Sequence, residues 1–212
     1  MREGLTALLD QEDDMIVVGE AANGVEALAK LENFQPDIVL IDLSMPLMNG
    51  VETTRRIKER MPSLPVLILS MYGDAVGVTR ALRAGALGYI VKESVVEELT
   101  FAIREVADGR HYLSPLVDGP IVQDYLQGIP SQDDGFDKLT PRESEVLQLL
   151  AEGHSIAKIA SMLTISQSAV RRHQANLKSE LGLKNRADIL RYALDHHMVV
   201  SHMRPSISKE EE

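Results

Sequence analysis

The stretch that decides the fold of the front half is DIVLIDLSMP, residues 37–46. Its four consecutive apolar residues are typical of a strand buried on both faces of a parallel sheet. Asp42 follows at the carboxyl end of that strand, the edge of an open α/β sheet where ligands bind. Pro46 and the pair Asn49-Gly50 predict a loop before the next helix. From these residues alone, Asp42 is either a phosphoryl acceptor or a residue that caps the loop.

Strand-like and helix-like segments alternate on both sides of this stretch. The predicted strands are Met15–Gly19, Asp37–Asp42, Val66–Ser70 and Gly88–Lys92. The predicted helices begin near Arg2 and Gly24, then cover Gly50–Met61, Val76–Ala84 and Val95–Asp108, the last capped by Ser94. Such alternation predicts βαβ units, and therefore an α/β domain with a parallel sheet.

Composition narrows the class of protein. A length of 212 residues suggests two modest domains. The chain has no Cys, which excludes disulfides and thiolate metal sites. The absence of Cys also permits a reducing cytosol, and we expect a cytoplasmic protein. No apolar run approaches the roughly 18 residues of a membrane span, so we expect no membrane partner. The net charge of −10 argues against nucleic-acid binding over the whole surface but permits a local basic face.

The pattern changes after Ser114-Pro115. Residues 116–138 are predicted to be a linker with a possible helix at Pro120–Gln127, because GIPSQDDGFDK is rich in Gly, Pro, Ser and Asp. From Leu139 onward the periodicity is helical only. We therefore expect domains at residues 1–115 and 139–200, followed by a flexible tail at 201–212.

Polar side chains follow three of the predicted strands. Asp42, Ser70 and Lys92 stand at carboxyl ends, which share one edge in a parallel sheet. A carboxylate can act as a nucleophile toward phosphorus, a lysine can neutralise a phosphate oxygen, and a hydroxyl can bond another. Each residue alone would be an ordinary loop residue, but their common placement favours phosphoryl transfer.

The motifs DIVLIDLSMPLMNG, VLILS and GALGYIVKE resemble the receiver domains of two-component response regulators, over about residues 1–115. The resemblance implies a flavodoxin-like sheet and a sensor histidine kinase as phosphate donor. It makes Asp42 the phosphoacceptor, Ser70 the switch hydroxyl, Lys92 the phosphate-binding lysine and Tyr89 the switch aromatic. In that family, phosphorylation draws the hydroxyl and then the aromatic inward.

One departure concerns the metal. Family members begin with a strand that ends in two acidic residues, which hold Mg²⁺ together with the phosphoacceptor, whereas this chain begins at the following helix. Asp13 and Asp14 precede a strand, so we expect them at the opposite edge of the sheet. Asp42 would then be a lone, weak metal ligand. Poor phosphorylation is the expected consequence, because the metal offsets charge on the transferred group.

The same departure leaves Met15–Gly19 without its usual neighbour, because the absent strand would lie between it and Asp37–Asp42. Three outcomes are open: the two strands pair directly, another chain fills the gap, or the native protein is longer. The fold class is thus a flavodoxin-like receiver that is incomplete at its N-terminus.

The back half contains a basic helix. Residues 166–191 hold six Lys or Arg and two acids, and the predicted helix Gln167–Leu181 carries Arg171, Arg172, His173, Gln174, Asn176 and Lys178. Such side chains suit the major groove of DNA, although a solvated charged face would look the same.

The order of residues in LTPRESEVLQLLAEGHSIAKIASMLTISQSAVRRHQANLKSELGLKNR resembles the LuxR-type helix-turn-helix of the NarL/FixJ subfamily, from Leu139 to about Met198. The resemblance implies four helices, the third entering DNA and the fourth supporting a homodimer. Ala169 and Glu180 depart from the usual Thr and Lys, which should weaken non-specific DNA affinity.

These observations predict a two-component response regulator, which binds double-stranded DNA and is not an enzyme in the usual sense. Two alternatives remain open at this point. One is a DNA-binding regulator that ignores phosphate and uses its receiver for dimerisation or docking. The other is a protein-interaction module that no longer holds DNA.

Overall fold

The computed structural model describes residues 1–117 and 138–199, which divide into two separate units. The possible helix at Pro120–Gln127, nearly all of the predicted linker and the predicted tail lie outside the described residues. None of the helices in the described ranges is long and apolar enough to cross a membrane.

A parallel sheet forms the centre of the first unit. Its strands are β1 (Val39–Asp42), β2 (Val66–Ser70), β3 (Gly88–Val91) and β4 (Tyr112–Leu113). They lie in the order β1-β2-β3-β4, and every neighbouring pair is parallel. β2 and β3 are buried along their whole length, as their uninterrupted apolar sequences predict.

Five helices cover the two faces of the sheet. They are α1 (Arg2–Leu9), α2 (Gly24–Phe34), α3 (Gly50–Arg60), α4 (Ala75–Arg83) and α5 (Val95–Ala107). One core cluster joins α2, α3 and α4 to Ile41, Ile68 and Tyr89 of the sheet. The other packs α5 and, less completely, α1 against Leu67 and Leu69. The first unit is therefore a three-layer α/β domain, which confirms the predicted class.

The prediction of a strand at Met15–Gly19 is wrong. This segment is not a strand, and the backbone groups of residues 16–19 make no hydrogen bond to a described residue. Its apolar sequence favours a strand, but a strand forms only beside a partner, and an open cleft separates this segment from β1. Of the three outcomes left open above, direct pairing with β1 does not occur.

Two further details differ from prediction. The strand β4 was missed, because two residues that pair with β3 leave no periodicity to detect. Ser94 stands at the start of α5 but does not cap it. Lys92–Ser94 is a single 3₁₀ turn, and the Ser94 hydroxyl donates to the carbonyl of Val91 instead, at 3.0 Å.

Four helices make up the described part of the second unit. They are α6 (Pro141–Ala151), α7 (Ile156–Met162), α8 (Gln167–Glu180) and α9 (Arg186–Asp195). Thr140 and Glu143 cap α6 reciprocally, and Pro141 occupies its first turn, as the sequence predicts. The apolar side chains that close this core include Val146, Leu147, Ile159, Val170, Leu177 and Ile189.

Gly50 joins α3 to the carboxyl end of β1. Its amide donates to the carbonyl of Leu43 at 2.8 Å. A Cβ atom on Gly50 would lie 2.6 Å from the carbonyl oxygen of Asp42 and 2.8 Å from the Cα of Leu43. Both contacts are with backbone, which cannot rotate away. The absence of a side chain at this position therefore fixes how closely the helix approaches Asp42.

We predict that Gly50→Ala lowers the free energy of unfolding by about 1–3 kcal/mol, the usual effect of overpacking. The matched control is Gly4→Ala within α1, where a Cβ atom meets nothing within 4 Å. That change should be neutral or stabilising by up to about 1 kcal/mol, because Ala favours a helix over Gly. Urea unfolding measures both, and equal stabilities for wild type and Gly50→Ala would contradict the close approach.

Candidate functional site

An ion pair crosses the carboxyl edge of the sheet. Asp42 is the last residue of β1, and Lys92 follows β3 as the first residue of the 3₁₀ turn. The Nζ atom of Lys92 lies 2.6 Å from Oδ2 of Asp42, while Oδ1 accepts a hydrogen bond from the amide of Ser44 at 3.1 Å. The Asp42 side chain is 27% exposed and that of Lys92 is 13% exposed. The carboxylate is thus both held in place and open to a reactant.

Ser70 lies between these residues, at the end of the intervening strand β2. It is 1% exposed, and its hydroxyl accepts the amide hydrogen of Tyr72 at 3.1 Å. Asp42 and Lys92 come into direct contact as the sequence predicts, and Ser70 ends the strand between them.

Tyr89 is buried within β3 and touches the same loop. Its hydroxyl donates to the carbonyl of Tyr72 at 2.7 Å. Burial raises the pKa of Tyr89 well above its usual value, and a hydrogen bond with Ser70 opposes part of that rise. Ser70 and Tyr89 therefore both hold Tyr72, a residue that sequence reasoning missed because nothing in its local pattern distinguishes it from a loop residue.

The exposed face of α8 is cationic. Val170 and Leu177 point into the core of the second unit, which leaves Arg171 and Arg172 exposed and Lys178 half-buried. None of these three cations forms an ion pair with a described residue. Among the described residues, nothing neutralises these charges.

Two other polar residues of α8 turn toward α6. The amide of Asn176 donates to Oε1 of Glu143 at 3.1 Å. The Nδ1 atom of His173 is buried and makes no hydrogen bond to a described residue. Gln174 is half-buried. The polar residues that looked equivalent in the sequence therefore differ: Asn176 is bonded to α6, and the Nδ1 atom of His173 is buried, whereas Arg171 and Arg172 are exposed.

Comparison with known proteins accounts for both units. Residues 1–104 match the response regulator receiver domain, and residues 137–193 match the bacterial regulatory proteins of the luxR family. The oxygen regulatory protein NreC of Staphylococcus carnosus is 38% identical over 199 residues, which cover 92% of each chain. The chain belongs to the LuxR family of two-component response regulators. It has a receiver domain followed by a DNA-binding effector domain.

Solved structures of LuxR-family regulators resemble the chain over both domains. The RcsB response regulator of Salmonella typhimurium is 25% identical, with 92% of each chain covered and a TM-score of 0.61. A second RcsB structure, from Salmonella enterica serovar Typhimurium, is 26% identical, with 90% of this chain and 91% of that chain covered and a TM-score of 0.53. That protein is bound to promoter P1flhDC in the presence of the phosphomimetic BeF₃⁻.

The carboxyl edge of the receiver does not provide a fitting magnesium site. Mg²⁺ requires oxygen ligands in near-octahedral geometry, but no group of three or more His, Asp or Glu side chains in the described ranges is arranged to hold a metal. At this edge Lys92 already contacts Asp42. Asp14 instead accepts from Arg104 at 2.9 Å, near the end of α5. Because α5 crosses back between parallel strands, its end lies at the opposite edge of the sheet.

Glu143 links two helices of the effector domain, α6 and α8, through hydrogen bonds. Its carboxylate accepts the amide and hydroxyl hydrogens of Thr140, at 3.0 and 2.8 Å, in addition to the amide of Asn176. Burial alone would raise the pKa of Glu143, but these hydrogen bonds and the charge of His173 outweigh burial and lower it. The sequence indicates only an acid in the first turn of a helix, because the contact with Asn176 joins residues far apart in the chain.

We predict that Glu143→Gln lowers the free energy of unfolding of the effector domain by about 1–3 kcal/mol at pH 7. The pKa of Glu143 is lower in the folded state, so the ionised carboxylate stabilises the fold above its usual pKa of 4.5. This contribution is lost as the pH falls through the lowered folded value, and the difference between wild type and variant should shrink in that range. Thermal unfolding as a function of pH measures the difference.

The control for this experiment is Glu180→Gln, because Glu180 is exposed on α8. Its stability should match wild type at every pH. A difference between wild type and Glu143→Gln that stays constant below pH 4 would show that the ionised carboxylate is not the stabilising species.

Proposed function

We propose that a sensor histidine kinase phosphorylates the receiver, residues 1–115, on Asp42, and that this controls DNA binding by the effector domain, residues 139–200. The regulator acts in the cytoplasm as a homodimer and catalyses no reaction on a separate substrate. The observation that carries the proposal is the contact between Lys92 and the partly exposed carboxylate of Asp42. An accessible nucleophile with an adjacent fixed cation suits phosphoryl transfer.

The transfer is a substitution at phosphorus. A carboxylate oxygen of Asp42 attacks the phosphorus of a phosphohistidine, the P–N bond breaks, and the departing imidazole nitrogen takes a proton. An acyl phosphate forms on Asp42. Lys92 then turns from the carboxylate to a phosphoryl oxygen. The side chains around Asp42 do not fit Mg²⁺. The positive charge of Lys92 is therefore what these residues supply to offset the negative charge on the phosphoryl group.

The contacts of Tyr72 support Ser70 and Tyr89 as the switch. When the Ser70 hydroxyl turns to bond the phosphoryl group, its hydrogen bond with the Tyr72 amide is weakened. Tyr89 holds the carbonyl of the same residue. A change at the carboxyl edge would therefore reach the loop after β2 and the buried ring of Tyr89 together, and these two contacts are the ones that a switch between two states would rearrange.

We predict slow labelling of the full chain by a small acyl phosphate donor, with weak dependence on Mg²⁺. Asp42→Asn removes the nucleophile and should abolish labelling, while Lys92→Ala should reduce it by a factor of about 10 or more through loss of the neighbouring charge. Intact-protein mass spectrometry measures the labelled fraction. The control is Asp37→Asn, which removes an exposed carboxylate and should label as wild type does.

Two results would count against this proposal. Label that persists in Asp42→Asn would place the acceptor elsewhere. Fast labelling that requires Mg²⁺ would show that a complete metal site forms around Asp42.

The effector domain is proposed to place α8 in the major groove, with Arg171, Arg172, His173, Gln174 and Lys178 toward DNA. The exposed Arg171 and Arg172, which form no ion pair with a described residue, support the proposal, as does the promoter complex of the similar RcsB. His173 can reach DNA only through Nε2, because its Nδ1 is buried. A homodimer would bind two half-sites about one helical turn apart, or a multiple of that spacing.

We predict that Arg171→Ala and Lys178→Ala each weaken binding to random duplex DNA and flatten its salt dependence. Each lost phosphate contact should change the slope of log K against log salt by about 0.9. Arg191→Ala is the control, since Arg191 lies on α9 and pairs with Asp188 at 3.0 Å. Fluorescence anisotropy across a salt series gives the slopes. Unchanged slopes in both α8 variants would remove this helix from the DNA interface.

A further inference from the structure

A chain of side-chain hydrogen bonds lies beside the 3₁₀ turn that carries Lys92 and joins β3 to α5. The Ser94 hydroxyl donates to the carbonyl of Val91 at 3.0 Å and lies 3.1 Å from the hydroxyl of Ser114. The Ser114 hydroxyl in turn donates to Oε1 of Glu98 at 3.1 Å. We call Ser94, Ser114 and Glu98 the turn network. The phosphoryl transfer proposed above leaves these three side chains without a role.

The turn network is anchored to the sheet and to α5. Glu98 lies in the first turn of α5, and its Oε2 accepts the hydroxyl hydrogen of Tyr112 at 2.9 Å. Burial and the hydrogen bond to this carboxylate raise the pKa of Tyr112 to about 12, so its hydroxyl remains a donor at neutral pH. Ser114 is 2% exposed, and its amide donates to the carbonyl of Tyr89 at 2.9 Å. Both partners of Ser94 are therefore parts of fixed elements.

The hydrogen bond of Ser94 closes the turn around Lys92. Val91 and Ser94 stand on either side of Lys92 in the chain, and the bond between them spans it. The Nζ atom of Lys92 lies 2.6 Å from Oδ2 of Asp42 and must later reach a phosphoryl oxygen. Lysine carries its charge at the end of a flexible stem. The backbone of the turn is therefore what determines where that charge can act.

The turn network has more contacts than hydrogens. The hydroxyls of Ser94 and Ser114 carry one hydrogen each. They share three contacts, which are with the carbonyl of Val91, with each other and with the carboxylate of Glu98. An ionised Glu98 supplies no hydrogen, so one contact always lacks one. The substitution Glu98→Gln would supply it, because the amide nitrogen can donate to Ser114 while the amide oxygen still accepts from Tyr112.

We propose that Ser94, Ser114 and Glu98 are positioning residues for Lys92, which hold its turn so that the ammonium group meets the phosphoryl oxygen on Asp42. This inference rests on the phosphoryl transfer to Asp42 proposed above. The hydrogen bonds of the turn network run to one another and to β3 and β4, so its effect on the reaction passes through Lys92. Positioning of this kind matters because a displacement of about 1 Å can slow a reaction by about 100-fold.

The first test is the rate at which a small acyl phosphate labels Asp42 in the full chain. Ser94→Ala and Glu98→Ala should each slow labelling by about 5-fold or more, because the turn is no longer held. Glu98→Gln should label at least as fast as wild type, since it keeps every contact and adds the missing hydrogen. Glu97→Gln is the matched control, because it removes the same charge from an exposed neighbouring position on α5 and should label as wild type does.

A double-mutant comparison separates positioning from a general loosening of the domain. In a chain that already carries Lys92→Ala, the further change Ser94→Ala should not slow labelling again, because residues that act through one group are not additive. General loosening would slow both backgrounds by the same factor.

A second measurement does not depend on phosphorylation. Lys92 is 13% exposed, so an N-hydroxysuccinimide ester should acylate it slowly in the wild type. Ser94→Ala and Glu98→Ala should each raise that rate by about 3-fold or more, since the loss of a hydrogen bond frees the turn. Lys158, which is exposed on α7, gives the reference rate in the same molecules, and peptide mass spectrometry measures both.

Three results would overturn the proposal. The first is wild-type labelling of Asp42, or wild-type acylation of Lys92, in Ser94→Ala. The second is labelling of Glu98→Gln that is as slow as that of Glu98→Ala, which would assign the effect to charge. The third is further slowing of Lys92→Ala by Ser94→Ala. Label that persists in Asp42→Asn would instead overturn the proposed phosphoacceptor, and the acylation rates would still decide whether the turn network holds Lys92.

Discussion

The hydrogen-bonded ladder of β1, β2 and β3 is the constraint on which the receiver depends. Parallel pairing with the register Val39 to Val66 and Leu67 to Gly88 brings three carboxyl ends to one edge. Without that register, Asp42 and Lys92, which lie 50 residues apart in the chain, would not meet at 2.6 Å. The chemistry proposed for Asp42 is therefore a consequence of strand pairing, and the burial of β2 on both faces is what makes that pairing stable.

Sequence reasoning correctly predicted those parts of the receiver in which the local residue pattern matches the burial that the folded domain provides. Apolar runs located β1, β2 and β3, and the contact of Asp42 with Lys92 followed from parallel geometry. The failure at residues 15–19 has a different origin. That segment has a strand pattern, but a strand also needs a neighbour with free backbone groups, and the neighbour is a property of the assembled sheet. Tyr72 and β4 were missed for a related reason, because their contacts come from distant parts of the chain.

In the effector domain, too, the sequence predicts local features but not contacts between distant parts of the chain. Caps and turns are local, so Thr140 and Glu143 marked the start of α6 correctly. The sequence could not separate the residues of α8 that face outward from those that support the fold. Asn176 has the chemistry of a base-reading amide, yet it donates to Glu143 at 3.1 Å. Burial of Val170 and Leu177 fixes the rotation of α8, and that rotation selects Arg171, Arg172 and Lys178 as the cations available to a partner.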